Sequence, residues 1–114
     1  MHELQVASEL IKVLQGAMAQ HGVDVISMAT IKLGELTCID PDSLRSAFEI
    51  VREGTPLDGV HLNFECCPVE GWCDRCEGAF PCEETDFKCP QCGGPPARYV
   101  SGEEFFLASM EVPD

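Results

Sequence analysis

The sequence predicts an α+β fold in which two helices pack on a small three-stranded sheet, with a four-cysteine zinc-ribbon module inserted before the last strand. Apolar residues recur at spacings of three and four in two segments and alternate with polar residues in three others. Cys, Gly and Pro concentrate from about Pro68 to Tyr99, between the last two of these segments. We therefore expect an α+β domain formed by residues 1–66 and 100–114, and a zinc-binding module formed by residues 67–99.

The first half of the chain predicts one helix and one strand. From Leu4 to Met18, apolar residues occupy one face of a helix and polar residues occupy the other. The following His21-Gly22 can end this helix, because Gly readily takes the left-handed conformation of a helix C-terminus. The segment from Val25 to Leu33 alternates and is rich in β-branched residues, which predicts a half-buried strand.

A second helix and two further strands are expected downstream. Asp is favoured at the N-cap and Pro at the first helical position, so Asp40-Pro41 predicts the start of a helix that ends near Gly54. Alternation then predicts strands from Val60 to Cys66 and from Phe105 to Val112. The aromatic side chains expected in the core are Phe48, Phe64 and Phe105.

The charge balance restricts the possible partners. The chain has 20 Asp and Glu but only seven Lys and Arg, giving a formal net charge of −13. No two basic residues are adjacent, so no patch is available for a nucleic-acid phosphate backbone. An acidic surface instead favours cationic partners, including metal ions. Because neither an export signal nor a membrane span is apparent, we expect a cytoplasmic protein that binds neither nucleic acid nor a membrane.

Two Cys-x-x-Cys pairs predict a metal site. Cys73 and Cys76 are separated by twelve residues from Cys89 and Cys92, a loop long enough to let both pairs bind one ion. Four thiolates fill the tetrahedral shell of Zn(II) and leave no position for a substrate, which indicates a structural role. The alternatives are a redox dithiol and a pair of disulfides.

Four other cysteines have no role assigned by their spacing. Cys82 lies between the two pairs and is a possible substitute ligand. Cys66 and Cys67 can be further thiols near the zinc module, or a core thiol and a surface thiol. Cys38 precedes the second helix, and we expect it to be a small buried residue. The isolated His21 and His61 are interpreted as a helix-end residue and a solvent-facing residue.

The amino terminus offers a different kind of ligand set. The α-amine of Met1, the amide and imidazole nitrogens of His2 and the amide of Glu3 form a continuous chelate path. Deprotonated amides bind strongly to ions that favour square-planar geometry, chiefly Ni(II) and Cu(II). The alternative is that His2 is merely a polar residue at a frayed terminus.

Four motifs in one order identify a resemblance that spans essentially the whole chain. They are Met1-His2-Glu3-Leu4, the segment Ile31-Lys32-Leu33-Gly34-Glu35-Leu36, the helix Pro41-x-Ser43-Leu44-Arg45-x-Ala47-Phe48-Glu49, and the two cysteine pairs. Together they resemble the HypA/HybF family of hydrogenase nickel-incorporation accessory proteins. The resemblance implies nickel at Met1, His2 and Glu3, and structural zinc at Cys73, Cys76, Cys89 and Cys92.

The resemblance also implies a function and partners. Such a protein is a nickel metallochaperone rather than an enzyme, and passes Ni(II), with the GTPase HypB, to the large subunit of [NiFe] hydrogenases; some relatives serve urease. The alternative is a zinc-ribbon adaptor that binds proteins without delivering nickel. The chain can form a homodimer or a domain-swapped dimer. Swapping would use hinges near Pro68 and Arg98-Tyr99, which flank the inserted module. The apolar Phe106 and Ala108 of the last strand can add a contact surface.

Overall fold

A computed structural model describes residues 3–82 and 87–113 and confirms the predicted α+β class. Its helices are α1 (Glu3–Gln20) and α2 (Pro41–Val51), with a 3₁₀ turn at Glu35–Thr37. Its strands are β1 (Met28–Gly34), β2 (His61–Cys67), β3 (Glu70–Cys73), β4 (Gly78–Pro81), β5 (Arg98–Ser101) and β6 (Phe105–Glu111). They form two three-stranded sheets in the orders β2-β1-β6 and β4-β3-β5.

The chain folds into two compact units. The first contains Met1–Lys32, Ile39–Glu65 and Phe106–Asp114, and the second contains Leu33–Cys38 and Cys66–Phe105. In the first unit, the two helices pack against each other and against one face of their sheet. The largest fully buried side chains are those of Leu14, Ile31, Leu44, Phe48, Leu57 and Val60. Burial of these apolar side chains is the main source of stability for this unit.

Helix α1 follows the predicted amphipathic pattern. Its buried stripe consists of Ala7, Leu10, Ile11, Leu14 and Met18. The helix ends where the amide of His21 donates to the carbonyl of Ala17, and Gly22 then takes a φ of +65°. That conformation explains the glycine after the helix. Within residues 3–82 and 87–113, neither helix has the length and apolar character required to cross a bilayer.

Helix α2 also begins as predicted, with Asp40 in the extended N-cap conformation and Pro41 at the first helical position. Phe48 is fully buried and Phe64 packs at the edge of the same core, as expected. Phe105 was expected in the core, but its side chain is 38% exposed. Phe105 has the same phase as Leu107, which does pack on the core, so the strand begins to face the core only after Phe105. Met110 packs there too, although it has the opposite phase, because the alternation along this strand is not regular.

The expected burial of Cys38 was wrong, and the structure also excludes one of the two alternatives considered for Cys66. Cys38 is exposed rather than buried, and it has a φ of +58° immediately after the 3₁₀ turn, where its amide donates to the carbonyl of Glu35. Cys66, considered as a core thiol, is exposed as well, and Cys67 is half-buried. Strand β2 leaves the buried face of its sheet at Glu65, so the inward alternation does not continue to Cys66.

The second unit is built on a β-hairpin that the sequence did not predict. Strands β3 and β4 are antiparallel, with Cys73 opposite Gly78, and β5 pairs with the other side of β3. The segment 33–38 lies alongside the turn at residues 101–104. There the amide of Gly34 donates to the carbonyl of Glu104, and the amide of Leu36 donates to the carbonyl of Gly102, each at 2.7 Å.

This backbone contact requires glycine at both Gly34 and Gly102. We therefore predict that Gly34→Ala destabilises the second unit. A Cβ at Gly34 would collide with the backbone carbonyl of Gly102 and lie 2.7 Å from the amide nitrogen of Glu103. The obstacle is backbone rather than a flexible side chain, so the two segments must separate. We expect a loss of about 2 kcal/mol or more in the free energy of unfolding, measured by urea denaturation of the metal-loaded protein.

The matched control is Gly16→Ala in α1. Gly16 is exposed, and a Cβ there would meet nothing within 4 Å. Alanine has the higher helix propensity, so this variant should be more stable by roughly 0.5–1 kcal/mol. Equal effects of the two substitutions would contradict the close-approach explanation.

Candidate metal centre

Four cysteine side chains of the second unit converge on one point. The Sγ atoms of Cys73, Cys76, Cys89 and Cys92 all lie within 4.8 Å of one another. The Sγ–Sγ distance is 3.5 Å between Cys73 and Cys92 and 3.9 Å between Cys76 and Cys89. A tetrahedral ion with metal–sulfur bonds of about 2.3 Å requires sulfur–sulfur separations of about 3.8 Å. The four thiols therefore fit a tetrahedral metal ion.

The β3–β4 hairpin positions the first pair. Cys73 is the last residue of β3, and Cys76 lies in the turn that leads to β4. Glu77 completes this turn with a φ of +52°. The amide of Cys76 donates to the Sγ of Cys73 at 3.4 Å, which leaves both sulfurs on the same side of the turn.

A second tight turn positions the other pair. The amide of Gly93 donates to the carbonyl of Cys89 at 2.8 Å, and the amide of Cys89 donates to the carbonyl of Gly94 at 2.9 Å. Gly93 has a φ of +73°, a conformation that side chains disfavour. The first glycine after Cys92 is thus explained by the shape of the turn that closes the site.

The environment differs among the four sulfurs. Cys73 and Cys89 are buried, whereas Cys76 and Cys92 are half-buried. The buried pair belongs to a small apolar cluster with Val69, Phe80 and Cys82. This cluster excludes water from one side of the site, and it is too small to resemble the core of an independent domain.

The thiols also differ in how readily they ionise. The backbone amides of Cys92 and Gln91 lower the pKa of Cys89 to about 7. Loss of contact with water, followed by interactions with Cys73, Cys89 and Cys92, raises the pKa of Cys76 to about 12. Four thiolates cannot crowd together without a counter-charge, and a divalent cation supplies it. Binding of such an ion would release the Cys76 proton.

An aromatic and ionic contact supports the first turn. The guanidinium of Arg98 lies 4.9 Å from the ring centroid of Trp72 and 3.6 Å from a carboxylate oxygen of Asp74. Asp74 follows Cys73 directly, so Arg98 links β5 to the turn that carries two of the thiols. Sequence reasoning missed this contact, because the three residues meet only after β5 pairs with β3.

Within residues 3–82 and 87–113, no other predicted site residue is a member of the four-thiol group. Among the described residues, the four-thiol group does not include Cys82, which is buried nearby, or Cys38, Cys66 and Cys67. Glu3 is the exposed first residue of α1. Met1 and His2, the other predicted nickel ligands, lie outside the described residues. His21 and His61 are both exposed.

Comparisons with known proteins agree along the whole chain. The family model for the hydrogenase/urease nickel-incorporation metallochaperone HypA matches residues 1–112. A hydrogenase maturation factor HypA from Chloroflexus aurantiacus is 37% identical over 114 residues, covering 99% of this chain and 100% of the relative. One from Roseiflexus sp. is 34% identical over 115 residues, covering 100% and 94%.

Solved structures show the same fold. The solution structure of the nickel metallochaperone HypA from Helicobacter pylori superposes with a TM-score of 0.70 at 27% identity, covering 98% of this chain and 97% of that one. A second HypA solution structure gives a TM-score of 0.73 at 27% identity, covering 99% and 97%. With a family match of this extent and the four-thiol site in place, the chain belongs to the HypA family of hydrogenase maturation factors.

Proposed function

We propose that this protein is a nickel metallochaperone that delivers Ni(II) during the maturation of [NiFe] hydrogenase, with urease as a second class of client. The observation that carries the proposal is the family match over residues 1–112, which begins at the Met-His-Glu start. Its role is binding and transfer rather than catalysis. We assign the nickel-binding domain to residues 1–66 and 100–114 and the zinc-binding module to residues 67–99.

The proposed nickel ligands are the amine of Met1, the amide and imidazole nitrogens of His2, and Glu3. Nickel bound by deprotonated amides adopts a planar geometry that zinc does not favour, so the two ions are separated by ligand type. Glu3 is the first residue of α1. The first amides of a helix have no acceptor within the helix, so using the Glu3 amide as a ligand breaks no helical hydrogen bond.

We propose that the four thiols hold Zn(II) in a structural role. Sulfur–sulfur distances of 3.5 and 3.9 Å match a tetrahedral thiolate shell, and such a shell leaves no coordination position open. Zn(II) supplies no redox chemistry there. It neutralises the thiolates and joins the two turns, and the small apolar cluster beside it supports this function.

The proposed partners are the GTPase HypB and the hydrogenase large subunit, in the cytoplasm. We also propose that the protein can form a homodimer or a domain-swapped dimer. The alternative function is a zinc-ribbon adaptor that binds proteins without delivering nickel. The two functions differ in one respect that can be measured, namely whether the amino terminus is required for nickel binding.

Replacing His2 should abolish tight nickel binding. We expect His2→Ala, or one extra residue added before Met1, to weaken nickel affinity by about 100-fold or more, because each change breaks the chelate path. Affinity would be measured by titrating zinc-loaded, untagged protein with Ni(II) and following the absorbance of the planar complex. The zinc content should be unchanged.

The matched controls are His21→Ala and His61→Ala, which remove the other two imidazoles of the chain. Both residues are exposed in the described structure, so neither substitution should disturb the fold. These variants should bind nickel as the parent protein does. Nickel affinity that survives His2→Ala, or that depends on His21 or His61, would favour the adaptor function or another nickel site.

Replacing one of the four thiols should remove the zinc. We expect Cys76→Ser to lower the zinc content of purified protein from one ion per chain to below about a tenth, because three thiolates leave the shell incomplete. The far-UV circular dichroism signal of the protein should weaken as the second unit loses its zinc. Cys66→Ser is the matched control, since Cys66 is exposed and lies outside the four-thiol group. If both variants retained zinc, the assigned ligand set would be wrong.

A further inference from the structure

The exposed large apolar side chains of the second unit fall in one short stretch of the chain. In its described part, three large apolar side chains are exposed, namely Tyr99 at 38%, Val100 at 45% and Phe105 at 38%. They follow one another along β5 and the first residue of β6. Scattered exposed apolar residues are ordinary, but a local concentration of them in so small a unit indicates a contact surface.

Strand β5 is also an edge of its sheet. Its inner side pairs with β3, and no strand of the described chain pairs with its outer side. An unpaired strand edge presents a row of backbone donors and acceptors that another extended chain can use. Strand β5 contains no proline that would prevent such pairing, although Pro95 and Pro96 lie just before it.

Carboxylates lie beside this edge. A shallow groove of about 270 Å³ is lined by Tyr99, Val100, Ser101, Glu103 and Glu104. Glu103 is exposed, and Glu104 is held by the amide of Gly102 at 2.6 Å and by the hydroxyl of Ser101 at 2.9 Å. Burial alone would raise the pKa of Glu104, but the backbone amides of Glu104 and Gly102 and the Ser101 hydroxyl outweigh it and lower that pKa. The groove is therefore anionic at neutral pH.

The backbone below the groove is fixed in position. The carbonyl of Gly102 accepts from the amide of Leu36, and Gly102 has a φ of +117°. A Cβ at Gly102 would lie 3.1 Å from both Leu36 and Val69, so the turn has little room to move. An edge that is already ordered loses less conformational entropy when it binds a ligand.

The charges favour a cationic occupant over a second copy of this chain. Two copies would each bring a net charge of −13, and the groove itself contributes two carboxylates. Arg98 is the basic residue of β5, but its guanidinium already contacts Asp74 and the face of Trp72. It is therefore poorly placed to neutralise Glu103 and Glu104 of another copy.

We propose that the outer edge of β5 binds an extended segment of a basic partner polypeptide, which adds a fourth strand to the sheet. An apolar side chain of that segment contacts Val100, and a Lys or Arg meets Glu103 and Glu104. Because β5 has only four residues, the contact is weak and transient. This surface contains none of the proposed nickel ligands, so the proposed peptide binding does not depend on whether the protein delivers nickel.

The test uses a fluorescent hexapeptide, Lys-Val-Thr-Val-Lys-Thr, added to the intact metal-loaded protein. We expect a dissociation constant of roughly 10–100 μM by fluorescence anisotropy at low salt. The amide NMR signals of residues 98–101 should shift and become protected from hydrogen exchange. An acidic counterpart, Glu-Val-Thr-Val-Glu-Thr, should bind at least about tenfold more weakly.

Methylation of alternate backbone amides of the peptide tests strand addition directly. Only every second amide of an added strand faces the protein. The peptide whose methylated amides face the protein should not bind, whereas the peptide whose methylated amides face away should bind within about threefold of the unmethylated peptide. If the two phases behave alike, the peptide is not bound as a strand and the proposal is overturned.

Two substitutions and their matched controls locate the surface. We expect Glu103→Lys to weaken binding about fivefold and Val100→Asp about tenfold, whereas Glu9→Lys and Ile50→Asp should leave it within about twofold. Glu9 and Ile50 are exposed residues of the two helices, so they reproduce the same changes of charge and polarity elsewhere. Zinc content and circular dichroism should match the parent protein in all four.

Three further outcomes would overturn the proposal. Equal weakening by Glu103→Lys and Glu9→Lys would mean that only net charge matters. Unchanged binding by Val100→Asp would place the peptide elsewhere. Self-association of the parent protein that Val100→Asp abolishes, seen by sedimentation equilibrium, would make a second copy the occupant of this edge. Nickel titration of Val100→Asp should match the parent protein, which separates this result from any failure of the nickel proposal.

Discussion

The second unit is organised around the mutual approach of four thiols that cannot all ionise without a cation. Of the five residues in its buried cluster, Cys73 and Cys89 are themselves members of the four-thiol group, and Cys82 is a third cysteine. Among the described residues, its buried hydrocarbon side chains are Val69 and Phe80, and Leu36 and Phe87 pack against it partly buried. At about 25 cal/mol per Å² of buried apolar area, so few side chains contribute little against the entropy of ordering the unit. A bound ion would replace the missing core, because its bonds to sulfur would fix both turns at once.

The strand pairing, the ion pair and the backbone hydrogen bonds of this unit hold the two turns in the positions that binding one ion would require. The hairpin of β3 and β4 places Cys73 and Cys76 on one side, and Arg98 ties the same turn to β5 through Asp74. Strand β5 leads into the turn at residues 101–104, which is bonded to Gly34 and Leu36. This explains the glycine of the Ile31–Leu36 motif in physical terms, since only a residue without a Cβ allows the two backbones to meet.

The sequence predicted the parts of the structure that depend on local pattern. Both helices have an apolar stripe and a recognisable end, and Cys-x-x-Cys spacing is itself a local geometry, so α1, α2 and the four-thiol group could all be anticipated. The β4-β3-β5 sheet could not, because its strands have only four residues each and their pairing depends on contacts distant in the chain. The exposure of Cys38 and Phe105 was missed for a similar reason. A left-handed residue after a 3₁₀ turn, and the point at which a strand begins to face the core, are set by the surrounding backbone.

The two proposed metal sites satisfy opposite kinetic requirements. A closed shell of four thiolates built on two turns holds its ion by four bonds and leaves no position open to an incoming ligand, so it suits an ion that stays. A cargo ion must leave on contact with a partner, and ligands from one end of the chain can be displaced one at a time. Ligand chemistry strengthens the separation, because sulfur in tetrahedral positions favours zinc and planar nitrogen favours nickel. Under the proposed function, the rigid thiol site maintains the shape of the second unit, while exchange is confined to a chelate that no tertiary contact needs to close.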